Sequence, residues 1–229
     1  MDTGLQSIGT GYATSSVEQR NRVLRNTYWL LALSMVPTVL GAWIGVSTGI
    51  MATMGAGMSA VIFLAGAFGF IFAIEKTKNS SAGVPVLLAF TFFMGVMLSR
   101  MLAFVLGREG GPMMVMTAFA GTGLIFLGMA TLSTVIKRDV SSMGKFLFVG
   151  AVMLMVAGIA NIFLQSSALF ITVAVLAIGV FSAFIVYDLK RVKDGLETNY
   201  ISATLGIYLD IYNIFQSLLA LLGFASSRD

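Results

Sequence analysis

The chain contains no cysteine and no histidine. Without cysteine it has no disulfide, thiolate nucleophile or thiolate metal site, and its redox compartment is undetermined. Without histidine it lacks the usual near-neutral proton acceptor and the commonest metal ligand, so any pH response near neutrality falls to carboxylates. Charge is scarce too. Charged residues make up 10% of the chain, against roughly 25% in soluble domains. A soluble fold this poor in charge would expose large apolar patches and aggregate. The 14 Lys and Arg outnumber the 10 Asp and Glu, but they are scattered over tails and loops. They make no clustered basic face of the kind nucleic-acid binding needs.

What is present is hydrocarbon: 58% of 229 residues are hydrophobic. Apolar runs near the ~20 residues needed to cross a bilayer predict spans over about 27–46, 52–74, 84–106, 113–136, 146–165, 168–188 and 202–223. The fold class expected is all-α and integral to a membrane, with residues 27–224 forming the transmembrane domain. Residues 1–26 read as a polar, mobile tail and 225–229 as a short C-terminal tail. The N-terminal segment lacks the apolar core and cleavage site of a removable signal peptide, so span one reads as a retained signal-anchor.

The breaks make chemical sense. Glu75 to Ser81 is a polar loop, as is Lys137-Arg138-Asp139 with Ser141 and Ser142. Pro112 falls at a helix start, where its missing N–H costs little. Gln165-Ser166-Ser167 joins spans five and six in a tight hairpin. Basic residues set orientation. Arg20, Arg22, Arg25, Lys76, Lys78, Lys137, Arg138, Lys145, Lys190, Arg191 and Lys193 fall on one side, and Arg100, Arg108 and Arg228 on the other. The N-terminus is therefore expected in the cytoplasm and the C-terminus outside. Gly41 with Gly45, Ala65 with Gly69, and Gly206 are small residues suited to close helix contact. Packing is the favoured reading of the glycines over a mobile pore, and no internal repeat suggests an inverted-repeat transporter.

Two aspartates break the pattern. Asp188 lies near the cytoplasmic end of span six and Asp210 about eight residues into span seven. An intramembrane acid is costly unless paired, protonated or wetted, and so marks a functional site. The two helices are consecutive and antiparallel, so both acids reach a similar depth. Facing one another, they can share one proton, and titration then belongs to the pair. Tyr187, Tyr208, Tyr212 and Asn213 are expected to line the same polar seam, against the alternative that these groups only satisfy one another in a sealed core. Carboxylates also suit Ca²⁺, which makes Asp188 and Asp210 candidate transient ligands; no resident cofactor is expected. Asn161 and Gln165 read as interhelical glue, Glu75 as a solvated loop acid, and Arg100 as a snorkelling cation. The 15 Met and 18 Phe read as lipid-facing and packing residues.

Tyr187-Asp188, Glu197-Thr198-Asn199-Tyr200-Ile201, Tyr208-Leu209-Asp210 with Tyr212-Asn213-Ile214-Phe215, and Leu222-Gly223-Phe224-Ala225-Ser226-Ser227 resemble the Bax inhibitor (transmembrane Bax-inhibitor-motif) family. Val23-Leu24-Arg25-Asn26-Thr27-Tyr28 and Ala160-Asn161-Ile162-Phe163-Leu164-Gln165 look like its bacterial YccA-like branch, which modulates the membrane AAA protease FtsH. The resemblance implies six helices wrapped around the last. From the calcium-leak members it implies a pH-sensitive pore sensed by the two acids, here Asp188 and Asp210. This chain has no arginine on span two to latch that pair; Lys76 and Lys78, with Glu75 at the same mouth, are the nearest candidates for latch or ion entry. Two readings result: a pH-gated calcium (cation) leak channel of the bacterial inner membrane, or a binding partner that modulates FtsH. An enzyme is not expected. An intramembrane aspartyl protease needs Gly-x-Gly-Asp at the second acid, where this chain has Tyr208-Leu209-Asp210, and span seven has no lysine for a retinal Schiff base.

Overall fold

The structure, a computed structural model, describes residues 3–51, 53–137, 140 and 142–226, with the side chains before Val17 and that of Ala56 outside the description. The loop residues Arg138, Asp139 and Ser141 and the terminal residues 227–229, Arg228 among them, lie outside the described residues.

Every element among the described residues is helical: α1 Thr3–Thr48, α2 Ala56–Thr77, α3 Gly83–Leu106, α4 Gly111–Val135, α5 Met143–Leu164, α6 Ser167–Lys193 and α7 Tyr200–Ala225. Seven helices are long and apolar enough to cross a membrane, the first counted from Val17. The ends follow local chemistry. Gly107 closes α3, and Gly110 at φ 69° with Pro112 just after it opens α4. Ser166 caps α6 by accepting a bond from the Leu169 N–H. Asn199 caps α7 by accepting from the Ile201 and Ser202 N–H groups, which satisfies donors that the first turn leaves orphaned.

Three boundaries differ most from the sequence expectation. α2 begins at Ala56 and runs to Thr77, so Glu75, Lys76 and Thr77, expected in a loop, form its last turn. The polar segment expected as a tail is helical in backbone from Thr3 onward. And α6 does not stop at Asp188 but runs to Lys193. Leu189 and Val192 continue its buried face beneath the charged residues, while Lys190, Arg191 and Lys193 complement the helix dipole in its last turn.

Lipid offers no hydrophobic drive between helices, so close backbone packing carries association. α1 and α3 form the most extensive pair. Gly41 lies against the Phe92 carbonyl, Gly45 against Ser99, and Gly95 against the Thr38 carbonyl; a methyl group at any of the three would collide. On α2 the close approach is at Gly66, which takes the Phe93 ring, while Gly69 faces open space. Ala65 and Gly69 are both exposed, so the close contact expected of that pair is made by Gly66 instead. The shared core runs through Leu87, Phe90 and Met94 of α3, Ile185 and Leu189 of α6, and Ile207, Tyr208 and Ile214 of α7.

α7 packs against α1, α2, α3, α4 and α6. α5 touches only α6 and has no buried residue, so it does not pack on α7. Trp29, Trp43, Phe68, Phe119, Phe146 and Phe163 point outward, as a lipid-facing surface requires.

Candidate functional site

α6 and α7 are joined by the short Asp194–Asn199 connection and pack along their length. Asp188 stands five residues before the end of α6, and Gly206 and Asp210 stand six and ten residues after the start of α7. At 1.5 Å per residue these are depths of about 7.5, 9 and 15 Å from the connection. Asp188 is therefore level with Gly206, and Asp210 lies one turn deeper.

The contacts agree. The Asp188 carboxylate rests on Gly206, in the space a Cβ there would occupy, with its Cγ 3.3 Å from that point. Gly206 and Asp210 are i,i+4 neighbours on one helix face. Asp210 is only 4% exposed, and its Oδ2 has no hydrogen-bond partner. Asp210 interacts electrostatically with the Asp188 carboxylate, and Asp188 in turn with Arg191 and Glu197. Ion pairs among the described residues join Lys78 to Glu75, Lys190 to Asp194 and Arg191 to Glu197; none includes either acid. Arg191 is divided between Glu197, at 3.7 Å, and the Tyr187 ring. An ionised acid at mid-helix costs about 2.5–3.5 kcal/mol on insertion scales. Nothing offsets that at Oδ2, so a proton is the simplest partner the site can accept.

The tyrosines of the expected seam point elsewhere. Tyr208 Oη lies 2.9 Å from Thr38 Oγ1 on α1 and donates to the Thr91 carbonyl on α3. Tyr212 Oη donates to the Met94 carbonyl at 3.3 Å. Two residues along a helix is a rotation of about 200°, so residues either side of Asp210 belong to the opposite face. Tyr187 packs its hydroxyl on Gly144 of α5. Asn213 does share the Asp210 face, but its Nδ2 donates to its own helix at Leu209 O, 2.7 Å.

The polar group that belongs with the pair is Ser202, one turn before Gly206, whose buried Oγ also lacks a partner. Ser202, Gly206, Asp210, Asn213 and Ser217 follow one another at i+3 and i+4 and make a single stripe. That spacing was available in the sequence. Ser202 escapes notice because serine is common near helix starts, and Gly206 because its role is the absence of a side chain.

The candidate latch residues are also apart from the acids. Lys78 pairs with Glu75, and Lys76 lies over the Phe72 ring at 4.5 Å. This corner is tied to α7 through Asn199, whose Nδ2 donates to Lys78 O and Asn79 Oδ1. No group of three or more acidic side chains gathers among the described residues. Two carboxylates supply at most four of the 6–8 oxygens that a resident Ca²⁺ takes.

Arg100 reaches the Met54 carbonyl and Ser59 Oγ at the other end of the bundle. Asn161 Oδ1 accepts from the Ser166 N–H at 3.0 Å, so it holds the α5–α6 turn.

The sequence model of the family described as "Inhibitor of apoptosis-promoting Bax1" matches residues 20–228. An "Uncharacterized membrane protein" of Vibrio cholerae is 39% identical over 94% of this chain and 96% of its own. "Modulator of FtsH protease YccA" of Escherichia coli is 34% identical over 96% of this chain and 97% of its own. A second E. coli relative, "Inner membrane protein YccA", matches to the same extent.

Proposed function

The chain belongs to the Bax inhibitor family of membrane proteins, and from that premise we propose that it is a proton-gated cation leak pathway, with Ca²⁺ as the permeating ion. The observation that carries the reading is the Asp188 carboxylate seated on Gly206, one turn from a buried Asp210 oxygen without a partner. At higher pH the α6–α7 seam holds negative charge, and cations are attracted to it. At low pH a proton bridges or neutralises the pair, α7 reseats against α6, and conduction changes. Gly206 supplies the room for that movement. The charged groups near the pair are Arg191 of α6 and Glu197 of the connection; Arg191 already pairs with Glu197 and so leaves the acids without a dedicated counter-ion. The polar stripe from Ser202 to Ser217 gives the seam a hydrophilic track through about 22 Å of α7.

Reconstitution tests this. Ca²⁺ flux into liposomes is expected to vary between about pH 5 and 8, the range in which no histidine can account for it, and to lose that variation in Asp210→Asn. A flux that is flat across this range and indifferent to Asp210→Asn overturns the reading.

The relative named as a modulator of FtsH supports a second role: this chain binds a membrane AAA protease as a poor substrate, presenting its N-terminal segment. Deletion of residues 1–20 is expected to abolish protease-dependent turnover, and unchanged turnover counts against it. Neither role is enzymatic, in keeping with the relatives' names. The inner-membrane name of the E. coli relative and the distribution of Lys and Arg support a multi-pass inner-membrane protein with its N-terminus in the cytoplasm.

A further inference from the structure

At the end of the bundle opposite the acid pair, a cleft of about 460 Å³ opens between α3, α5, α6 and α7. Its volume is within the roughly 300–1,000 Å³ range of ligand pockets. It occupies the gap left because α5 packs on α6 and on neither α3 nor α7. Its long walls are apolar: Phe104 and Val105 on one side, Leu219 on another, and the Phe170–Phe224 ring pair, with centroids 5.9 Å apart, on a third.

Among the described residues, the charged side chain in the lining is a cation, Arg108, and no acid lines the cleft. Its guanidinium lies over the Phe104 ring at 4.3 Å, and its Nε is buried with no hydrogen-bond partner. The rim beside it is formed by Gln165, Ser166 and Ser167. Ser166 caps α6, so the positive end of the dipole of a 27-residue helix opens at the same rim. A guanidinium lining the cleft, a helix N-terminus and neutral hydroxyls suit a phosphate. The apolar walls leading away from it suit a hydrocarbon chain.

We propose that this cleft is a phospholipid-binding site, holding a headgroup phosphate on Arg108 and the α6 N-terminus and an acyl chain between Phe104, Leu219 and Phe170. A free anion satisfies the rim but leaves the walls empty, and a neutral lipid leaves the Arg108 donor unmet. The site is built from residues other than the acid pair, so it stands independently of the leak pathway.

Native mass spectrometry of the full chain, released from detergent, tests it with three probes: phosphatidylglycerol, diacylglycerol and inorganic phosphate. Retained phosphatidylglycerol is expected, with neither of the other two held at the same concentration. Loss of a charge-assisted hydrogen bond corresponds to roughly 10- to 100-fold weaker binding in Arg108→Gln. Ala220→Phe, which fills the cleft without touching the cation, is expected to abolish retention while keeping the thermal transition. Should that variant fold poorly, Arg108→Gln gives the reading alone. Equal retention by wild type and Arg108→Gln means annular lipid only and overturns the proposal. So does equal retention of diacylglycerol, or of inorganic phosphate.

Discussion

The Asp188 carboxylate fills the space where Gly206 has no side chain. Two consecutive helices thereby meet at an acid on one and a bare backbone on the other, one turn from a second acid that is 4% exposed. In the proposed reading, a change of charge at Asp188 is felt by the packing of α7.

Gly206→Ala puts a methyl group where the Asp188 carboxylate lies. Alanine favours the helix by about 0.8–1 kcal/mol, so the chain is expected to fold. The displaced carboxylate should shift or flatten the pH profile of Ca²⁺ flux. Gly69→Ala, which faces open space, gains the same propensity and should leave the profile unchanged. Flux profiles of the two variants side by side make the comparison.

Tyr208→Phe is expected to cost about 1 kcal/mol of stability and to leave pH dependence intact. Its hydroxyl serves Thr38 and Thr91 on the far side of α7, and Thr38 keeps its bond to the Ser34 carbonyl. Thermal unfolding in detergent with parallel flux measurements checks both halves.

Asn199→Ala removes the α7 cap and the tie to the α2–α3 turn together. A lost N-cap costs about 0.5–2 kcal/mol, and the cross-helix bonds at Lys78 O and Asn79 Oδ1 add to it. The expected result is a lower thermal midpoint, with hydrogen exchange first rising at the start of α7.

Because the native chain has no cysteine, single-cysteine labelling reads topology directly. An impermeant maleimide should label Glu109→Cys, in the α3–α4 turn, on intact spheroplasts. Ser80→Cys, in the α2–α3 turn, should label only after lysis.

The spans were legible because ~20-residue apolar runs have few alternatives in water or lipid, and their ends because Pro112, Ser166 and Asn199 carry local signals. The end of α6 was hidden: Asp188, Lys190 and Arg191 look like a loop, and only burial of Leu189 and Val192 shows the helix continuing. The two acids stood out by position alone. Nearness in sequence is not nearness in space at their neighbours: Tyr208 and Tyr212 flank Asp210 in the chain and face away from it in the helix. Gly206 is legible as a small residue, but the carboxylate that rests on it belongs to another helix. The helical backbone before Val17 has no apolar periodicity to announce it.

The central claim is that Asp188 and Asp210 titrate as a pair, and infrared difference spectroscopy of the carboxyl stretch across a pH titration measures this most directly. The account predicts a coupled transition in the wild-type protein, with Asp188→Asn moving the midpoint of Asp210 and Asp210→Asn moving that of Asp188. Two independent transitions, each indifferent to loss of the other residue, would contradict it.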